Sequence, residues 1–183
     1  ERKQPLWKLL LSLESAEIVS LIDFSYLEDL LTADQAMEIL DSKRDTRHER
    51  LGILDEGYPG YDTSVGWFQY SNDQIRDNAL KAVEAGFQAM KLKVGSSDPR
   101  KDISRIGMIR EAVGPDVKIM VDANQAWSVP TAIEVCLELS QFNLSWVEEP
   151  TQPDDVLGHA KIASAIHPVP VAIGECVSNR IMW

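Results

Sequence analysis

Four charged residues recur at nearly equal distances along the second half of the chain. Lys93, Asp122, Glu148 and Glu175 each end a short apolar run, and successive members lie 29, 26 and 27 residues apart. This interval is the length of one strand plus one crossover helix. Amphipathic helical patterns such as NDQIRDNALKAVEAGF lie between the apolar runs. The spacing therefore predicts strand–helix units that form a parallel sheet.

Two architectures contain such a repeat, the doubly wound open sheet and the (β/α)8 barrel. The sequence contains neither a G-x-G-x-x-G run nor a P-loop, which disfavours a nucleotide-binding open sheet. Charged residues at the ends of successive strands are typical of barrels, whose active sites lie at the C-terminal face. A closed barrel needs about 250 residues. We therefore expect an α/β fold with about the first five strands of a (β/α)8 barrel, in residues 55–183.

The first 54 residues have a helical pattern, with the runs PLWKLLLSL, SAEIVSLIDF and TADQAMEILDSK. Thr32 and Gln35 have the spacing of a capping box. We interpret residues 1–54 as helices of another domain or a linker. The sequence begins with Glu1 and has no signal-peptide pattern, so we expect it to start inside a longer chain.

Composition excludes several classes of partner. The chain has 18 basic and 29 acidic residues, a formal charge of -11, which argues against nucleic acid or an anionic membrane surface. No apolar run has the length of a membrane span. Cys136 and Cys176 form no disulfide framework, and we expect both to be buried in a reducing compartment. We expect a cytoplasmic protein, with a mitochondrial location left open because the N-terminus of the parent lies outside this sequence.

Three carboxylates are expected to converge at one end of the sheet. Asp122, Glu148 and Glu175 end successive predicted strands, and successive barrel strands lie side by side. A divalent cation would relieve their repulsion, and an oxygen-only set of ligands selects Mg²⁺ over zinc. A single carboxylate of this kind would more simply cap the following helix or face solvent. Three in register favour a metal site.

Two lysines end the preceding predicted strand, in MKLKVG. Lys91 and Lys93 are two residues apart, so a strand turns both to the same side. A neighbouring positive charge lowers the pKa of a lysine, which can then accept a proton. Lys93 is the candidate base, and Lys91 would lower the pKa of Lys93 and bind an anionic substrate oxygen. The alternative is an exposed edge that discourages aggregation. Asn124 would donate a hydrogen bond in this pocket or form a loop turn.

Lysine and metal together indicate a reaction class. A carboxylate substrate can lose its α-proton to lysine when a cation stabilises the enediolate. Completing the reaction needs an acid, for which histidine is the usual choice. His48, His159 and His167 are all predicted to be structural or surface residues, so none is placed for this role.

The order KLKVG, VDANQ, WVEEPT, AIGE resembles the enolase superfamily in its mandelate racemase-like branch. The strings PLWKLL, GYPGYDTSVGW and EEPTQPDDVLGHA resemble, more narrowly, the L-fuconate dehydratases. The resemblance implies that residues 1–54 are a remnant of a capping domain. It also implies that Lys93 is the base and that Lys91 and Asn124 contact the substrate. The implied Mg²⁺ ligands are Asp122, Glu148 and Glu175.

The resemblance implies a Mg²⁺-dependent acid-sugar dehydratase, a hydro-lyase that converts a sugar acid to a 2-keto-3-deoxy acid. L-fuconate is the leading substrate, and the parent is expected to be a homo-oligomer. The alternatives are another acid-sugar dehydratase or racemase of the same branch, or a non-catalytic truncated product. Because the family's catalytic histidine belongs to strands beyond the fifth, we expect the chain alone to lack measurable activity and to unfold over a broad temperature range.

Overall fold

The computed structural model describes residues 3–25 and 27–179. Its contacts divide the chain into two compact units, Glu1–Pro59 and Gly60–Trp183. The last helix of the first unit ends at Glu56, past residue 54, and the division follows Pro59. Within the described residues, no helix is both long enough and apolar enough to cross a membrane.

The first unit consists of helices α1 (Leu6–Ser12), α2 (Ser15–Ser20), α3 (Ala33–Ser42) and α4 (Arg47–Glu56). The predicted capping box at the start of α3 is confirmed. The backbone N–H of Gln35 donates to Thr32 Oγ1 at 3.2 Å, and the backbone N–H of Thr32 donates to Gln35 Oε1 at 2.9 Å. These bonds satisfy two amide groups that the helix itself cannot pair. The assignment of this unit to a capping domain stays a prediction.

The second unit is a five-stranded parallel sheet with strand order β1-β2-β3-β4-β5 and a helix after each of the first four strands. The predicted α/β fold is therefore confirmed. The strands are β1 (Asp62–Gly66), β2 (Ala89–Lys93), β3 (Lys118–Asp122), β4 (Leu144–Glu148) and β5 (Val171–Ala172). The crossover helices are α5 (Asn72–Glu84), α6 (Pro99–Val113), α7 (Val129–Leu139) and α8 (Val156–Ala165), with a short 3₁₀ helix at Ser140–Phe142.

One face of the sheet packs against these helices. Along β2, Met90 and Leu92 are buried in the same apolar cluster as Ile106 and Ile109 of α6. Because side chains alternate along a strand, Lys91 and Lys93 lie on the opposite face. Hydrophobic burial on one face thus fixes which side chains the other face presents.

Two details differ from the prediction. Glu175 was predicted to end the fifth strand, but β5 ends at Ala172, and Glu175 lies three residues later in a turn. Cys136 is buried as predicted, whereas Cys176 is exposed, because it lies in the same turn as Glu175. Burial raises the pKa of the Cys136 thiol to about 12.

Gly95 ends the MKLKVG segment in a conformation that other residues rarely adopt. Its φ is +98°, and a Cβ atom placed there would lie 2.7 Å from Ala126 Cβ and 3.0 Å from the carbonyl oxygen of Ala123. Its backbone N–H donates to Asp102 Oδ2 at 2.9 Å. Glycine is therefore required both by the backbone angle and by the close approach of the loop after β3.

We predict that Gly95→Ala destabilises the chain more than Gly114→Ala does. Gly114 also has a positive φ, +79°, but a Cβ atom there would meet nothing within 4 Å. Gly114→Ala, the control, should cost about 1–3 kcal/mol because of backbone strain alone. Gly95→Ala should cost about 1–3 kcal/mol more, because it also overpacks the loop. Urea unfolding of a protein that contains this chain measures both losses, and equal losses would contradict the steric explanation.

Candidate active site

The parallel register brings charged residues of three strands side by side. Lys93 pairs with Asp122, and Asp122 pairs with Glu148, at the C-terminal ends of β2, β3 and β4. The turn after β5 adds Glu175. The carboxylates of Asp122, Glu148 and Glu175 each offer an oxygen, and these three oxygens all lie within 4.8 Å of one another. The three acids that the sequence analysis singled out are therefore neighbours in the structure.

Both lysines of the pair contact these carboxylates. Lys91 Nζ lies 2.7 Å from Glu148 Oε1 and 3.4 Å from Asp122 Oδ2. Lys93 Nζ lies 2.6 Å from Asp122 Oδ2. The Asp122 side chain is fully buried, that of Lys91 is 9% exposed, and that of Lys93 is 15% exposed. A buried carboxylate needs such a partner, because an unpaired charge away from water is costly.

Asp122 is also held by the loop that follows β3. Its second oxygen, Oδ1, accepts the backbone N–H of Asn124 at 3.0 Å, and Asn124 has a positive φ of 42°. Asn124 therefore forms a turn, as one of its two predicted roles requires. Its side-chain oxygen accepts a hydrogen bond from Lys93 Nζ at 2.6 Å. Asn124 thus contacts the lysine directly, as an acceptor.

Glu148 has a further donor in its own strand. Trp146 Nε1 donates to Glu148 Oε2 at 3.1 Å, while Lys91 occupies Oε1. The Trp146 ring in turn packs edge-to-face on Tyr61, with the ring centroids 5.7 Å apart. These contacts restrict the rotamers of Glu148, so its carboxylate is held in one orientation.

Two aromatic residues beside the lysines were missed by the sequence analysis. Lys91 Nζ lies 5.7 Å from the ring centroid of Tyr61, and Lys93 Nζ lies 5.3 Å from that of Trp67. Both distances are typical of cation–π contacts. Tyr61 and Trp67 directly precede and follow β1, the strand next to β2. Their position at the ends of the neighbouring strand was the available signal.

The environment of Lys91 favours its charged form. Burial, the largest effect, lowers the pKa of Lys91. The hydrogen bond to Glu148 and the charges of Glu148 and Asp122 together outweigh burial, so the pKa of Lys91 is raised above its ordinary value. Lys91 is therefore an ammonium group at neutral pH, suited to bind an anionic oxygen.

The carboxylate cluster fits a hard divalent cation. Its donors are all oxygen atoms, the type that Mg²⁺ prefers. In an octahedral Mg²⁺ site, opposite ligand oxygens are about 4.2 Å apart and adjacent ones about 3 Å apart. The three carboxylate oxygens lie within 4.8 Å of one another, so they must come closer together to bind one ion. A small movement of the side chains would therefore let Asp122, Glu148 and Glu175 bind one ion together.

Known proteins share this arrangement of strands. A solved structure of human mitochondrial enolase superfamily member 1 has a TM-score of 0.82 and 42% identity to the chain, and the match covers 98% of this chain and 41% of that one. The L-galactonate dehydratase of Hypocrea jecorina is 37% identical over 186 residues, covering 98% of this chain and 41% of that protein.

A third relative was solved with ligands. The structure of L-talarate dehydratase from Polaromonas sp. JS666, complexed with Mg and L-glucarate, has a TM-score of 0.60 and 43% identity, over 63% of this chain and 32% of that chain. The chain spans about two fifths of the length of the curated relatives it matches. The family model described as enolase C-terminal domain-like matches residues 74–183. With this match over more than half of its length, the chain belongs to the enolase superfamily.

Proposed function

We propose that the protein containing this chain is a Mg²⁺-dependent acid-sugar dehydratase, with Asp122, Glu148 and Glu175 as the metal ligands. The main support is the pairing of two lysines with these carboxylates, Lys93 with Asp122 and Lys91 with Glu148. A relative that is named a dehydratase was solved with Mg and a sugar acid, which supports both the ion and the substrate class.

The charge of the site favours an anionic substrate. Lys91 stays charged, and a divalent cation held by the three carboxylates would place further positive charge beside it. The carboxylate of a sugar acid could then contact an ammonium group and the cation together. Lys93 is not counted here, because a lysine accepts a proton only as a neutral amine. In a partly buried site, where charges interact strongly, this positive charge should contribute to substrate selection.

Each residue of the site has a proposed role. Lys93 accepts the proton from C2 of the sugar acid, and Asn124 orients Lys93 through the hydrogen bond to Nζ. Lys91, which stays charged, binds the substrate carboxylate. Bound Mg²⁺ supplies positive charge that stabilises the negative charge developing on that carboxylate. Departure of the C3 hydroxyl also requires an acid, and none of the side-chain contacts described for this site assigns one.

We propose L-fuconate as the substrate. The support is the resemblance of the strings PLWKLL, GYPGYDTSVGW and EEPTQPDDVLGHA to the L-fuconate dehydratases. A relative named L-galactonate dehydratase, 37% identical, agrees with this choice. L-fuconate is the 6-deoxy form of L-galactonate, so the two acids have the same configuration at C2 and C3, where the reaction takes place. They differ only in the hydroxyl group at C6.

We predict that Glu148→Gln weakens Mg²⁺ binding about tenfold or more. The substitution keeps the shape of the side chain, but it makes one of three anionic ligands neutral, and ligand charge strongly affects the affinity for hard cations. Calorimetric titration with Mg²⁺ measures the change. Glu138→Gln, on the exposed surface of α7, removes a charge of the same kind and is the matched control. Equal affinities in both variants would exclude Glu148 as a ligand.

We predict that Lys93→Ala removes exchange of the C2 proton while Mg²⁺ still binds. Loss of a general base typically slows proton transfer about 10²–10⁴-fold. NMR measures the incorporation of solvent deuterium at C2 of L-fuconate in a protein that contains this chain. Lys161→Ala, which removes an exposed lysine of α8, should exchange like the unsubstituted protein. Exchange at the normal rate in Lys93→Ala would show that another group is the base.

The substrate is tested by comparing L-fuconate, L-galactonate and galactarate as reactants. We predict that L-fuconate gives a 2-keto-3-deoxy acid with the highest kcat/KM of the three. A higher value for L-galactonate would keep the reaction but overturn the choice of substrate. Racemisation at C2 without loss of water would overturn the dehydratase assignment itself.

A further inference from the structure

Glu149, which directly follows the proposed ligand Glu148, has a separate set of partners. Its side chain is buried, with 2% of the residue exposed. Oε1 accepts the backbone N–H of Cys176 at 3.2 Å, and Oε2 accepts Gln125 Nε2 at 3.2 Å. The Cys176 thiol also points at Oε2, with Sγ 3.8 Å away. Both oxygens of this buried carboxylate are therefore paired, as burial of a charge requires.

The backbone ties the same three segments together. The N–H of Glu149 donates to the carbonyl of Ala172 at 2.9 Å, and the N–H of Gln125 donates to the carbonyl of Glu149 at 2.7 Å. Gln125 Nε2 also lies 3.0 Å from Cys176 Sγ. The loops after β3, β4 and β5 are thus joined through Glu149 and Gln125.

Two of these residues have backbone angles that are unfavourable for side-chain-bearing residues. Gln125 has a φ of 65° and Glu149 a φ of 42°. Such conformations cost free energy and persist only when surrounding contacts hold them. The hydrogen bonds between the three loops supply those contacts.

Of the three proposed ligands, Glu175 depends most on the hydrogen bonds between these loops. Asp122 and Glu148 end strands of the sheet, whereas Glu175 is exposed and lies three residues after a two-residue strand. Its neighbour Cys176 is the residue whose N–H binds Glu149. A ligand that must be ordered on binding costs conformational entropy, and a preordered one does not.

We propose that Glu149 and Gln125 are positioning residues that hold the turn at 173–177, so that Glu175 meets Asp122 and Glu148. The proposal rests on the proposed role of the three carboxylates as Mg²⁺ ligands. Glu149 acts through the backbone of Cys176 and does not touch the ion. The expected result of breaking the Glu149–Gln125 contact is a looser turn and weaker Mg²⁺ binding, with the strands unchanged.

The test uses Glu149→Gln in the full chain. The new amide can keep its oxygen on the Cys176 N–H, but its NH2 group then meets Gln125 Nε2, which is also a donor. If the Gln125 side chain turns over to accept this NH2 group, it loses the contact between its Nε2 and Cys176 Sγ, so one bond is lost in either case. Adding Gln125→Glu to Glu149→Gln exchanges the two side chains and restores a carboxylate–amide pair. The amide oxygen at position 149 can then accept the Cys176 N–H. Gln125→Met is a milder variant that removes the donor and keeps the carboxylate. Glu138→Gln is the control for loss of an acidic residue.

The first measurement is hydrogen exchange at residues 173–177 without added metal. Exchange should be faster in Glu149→Gln and Gln125→Met, and normal in the exchanged pair and in Glu138→Gln. The peptide that covers β3, at 118–122, should exchange at an unchanged rate in all variants. Unchanged exchange at 173–177 in both Glu149→Gln and Gln125→Met would overturn the proposal, as would faster exchange throughout the sheet.

The second measurement is Mg²⁺ affinity, obtained from competition with Mn²⁺ followed by electron paramagnetic resonance. Glu149→Gln should weaken binding about tenfold, and the exchanged pair should recover most of this loss. When Glu175 is already replaced in Glu175→Gln, Glu149→Gln should cause no further loss. An equal loss in that background would show that Glu149 does not act through Glu175. An unsubstituted chain that binds no Mg²⁺ would refute the proposed metal site, whereas hydrogen exchange would still decide whether Glu149 holds the turn.

Discussion

The site depends on the parallel register of β2, β3 and β4. This register places Lys93 beside Asp122 and Asp122 beside Glu148. The apolar side chains that alternate with these charged ones are buried against the helices, so a slip by one residue would turn lysine and aspartate into the core. The free energy that fixes the fold therefore also fixes the spacing of the charged groups, and no separate interaction is needed to align them.

The lysine pair has consequences for stability as well as for chemistry. Asp122 is fully buried, and Lys93 and Lys91 are the cations nearest to it among its described contacts. A buried carboxylate without these partners would be strongly destabilising. In the proposed reaction, the same two lysines contact a substrate bound beside the carboxylates. The two lysines that stabilise Asp122 are therefore also those with proposed roles in the reaction. When either lysine is replaced, both the free energy of unfolding and the activity should be measured.

Sequence patterns predicted those parts of the structure that follow from local periodicity. The regular interval from Lys93 to Glu148 predicted the strands, and the alternation of apolar residues predicted which side chains share a face. The turn at Glu175 was not predicted, because an apolar run does not reveal where pairing with the next strand ends. Tyr61 and Trp67 were also missed, because their position at the ends of β1 becomes informative only once β1 is known to pair with β2.

The three proposed ligands differ in how they are held. Asp122 and Glu148 lie on strands whose hydrogen bonds and buried faces restrict them, whereas Glu175 lies in a turn that is tied down by Glu149. A site built in this way has two rigid ligands and one whose position depends on side-chain hydrogen bonds. Substitutions near the turn should therefore change metal affinity with little effect on the sheet, while substitutions in the strands should change both. The adjacent glutamates of WVEEP thus have different proposed roles. Glu148 ends β4 and lies beside the other proposed ligands, whereas Glu149 follows the strand with a positive φ and bonds to the loops after β3 and β5.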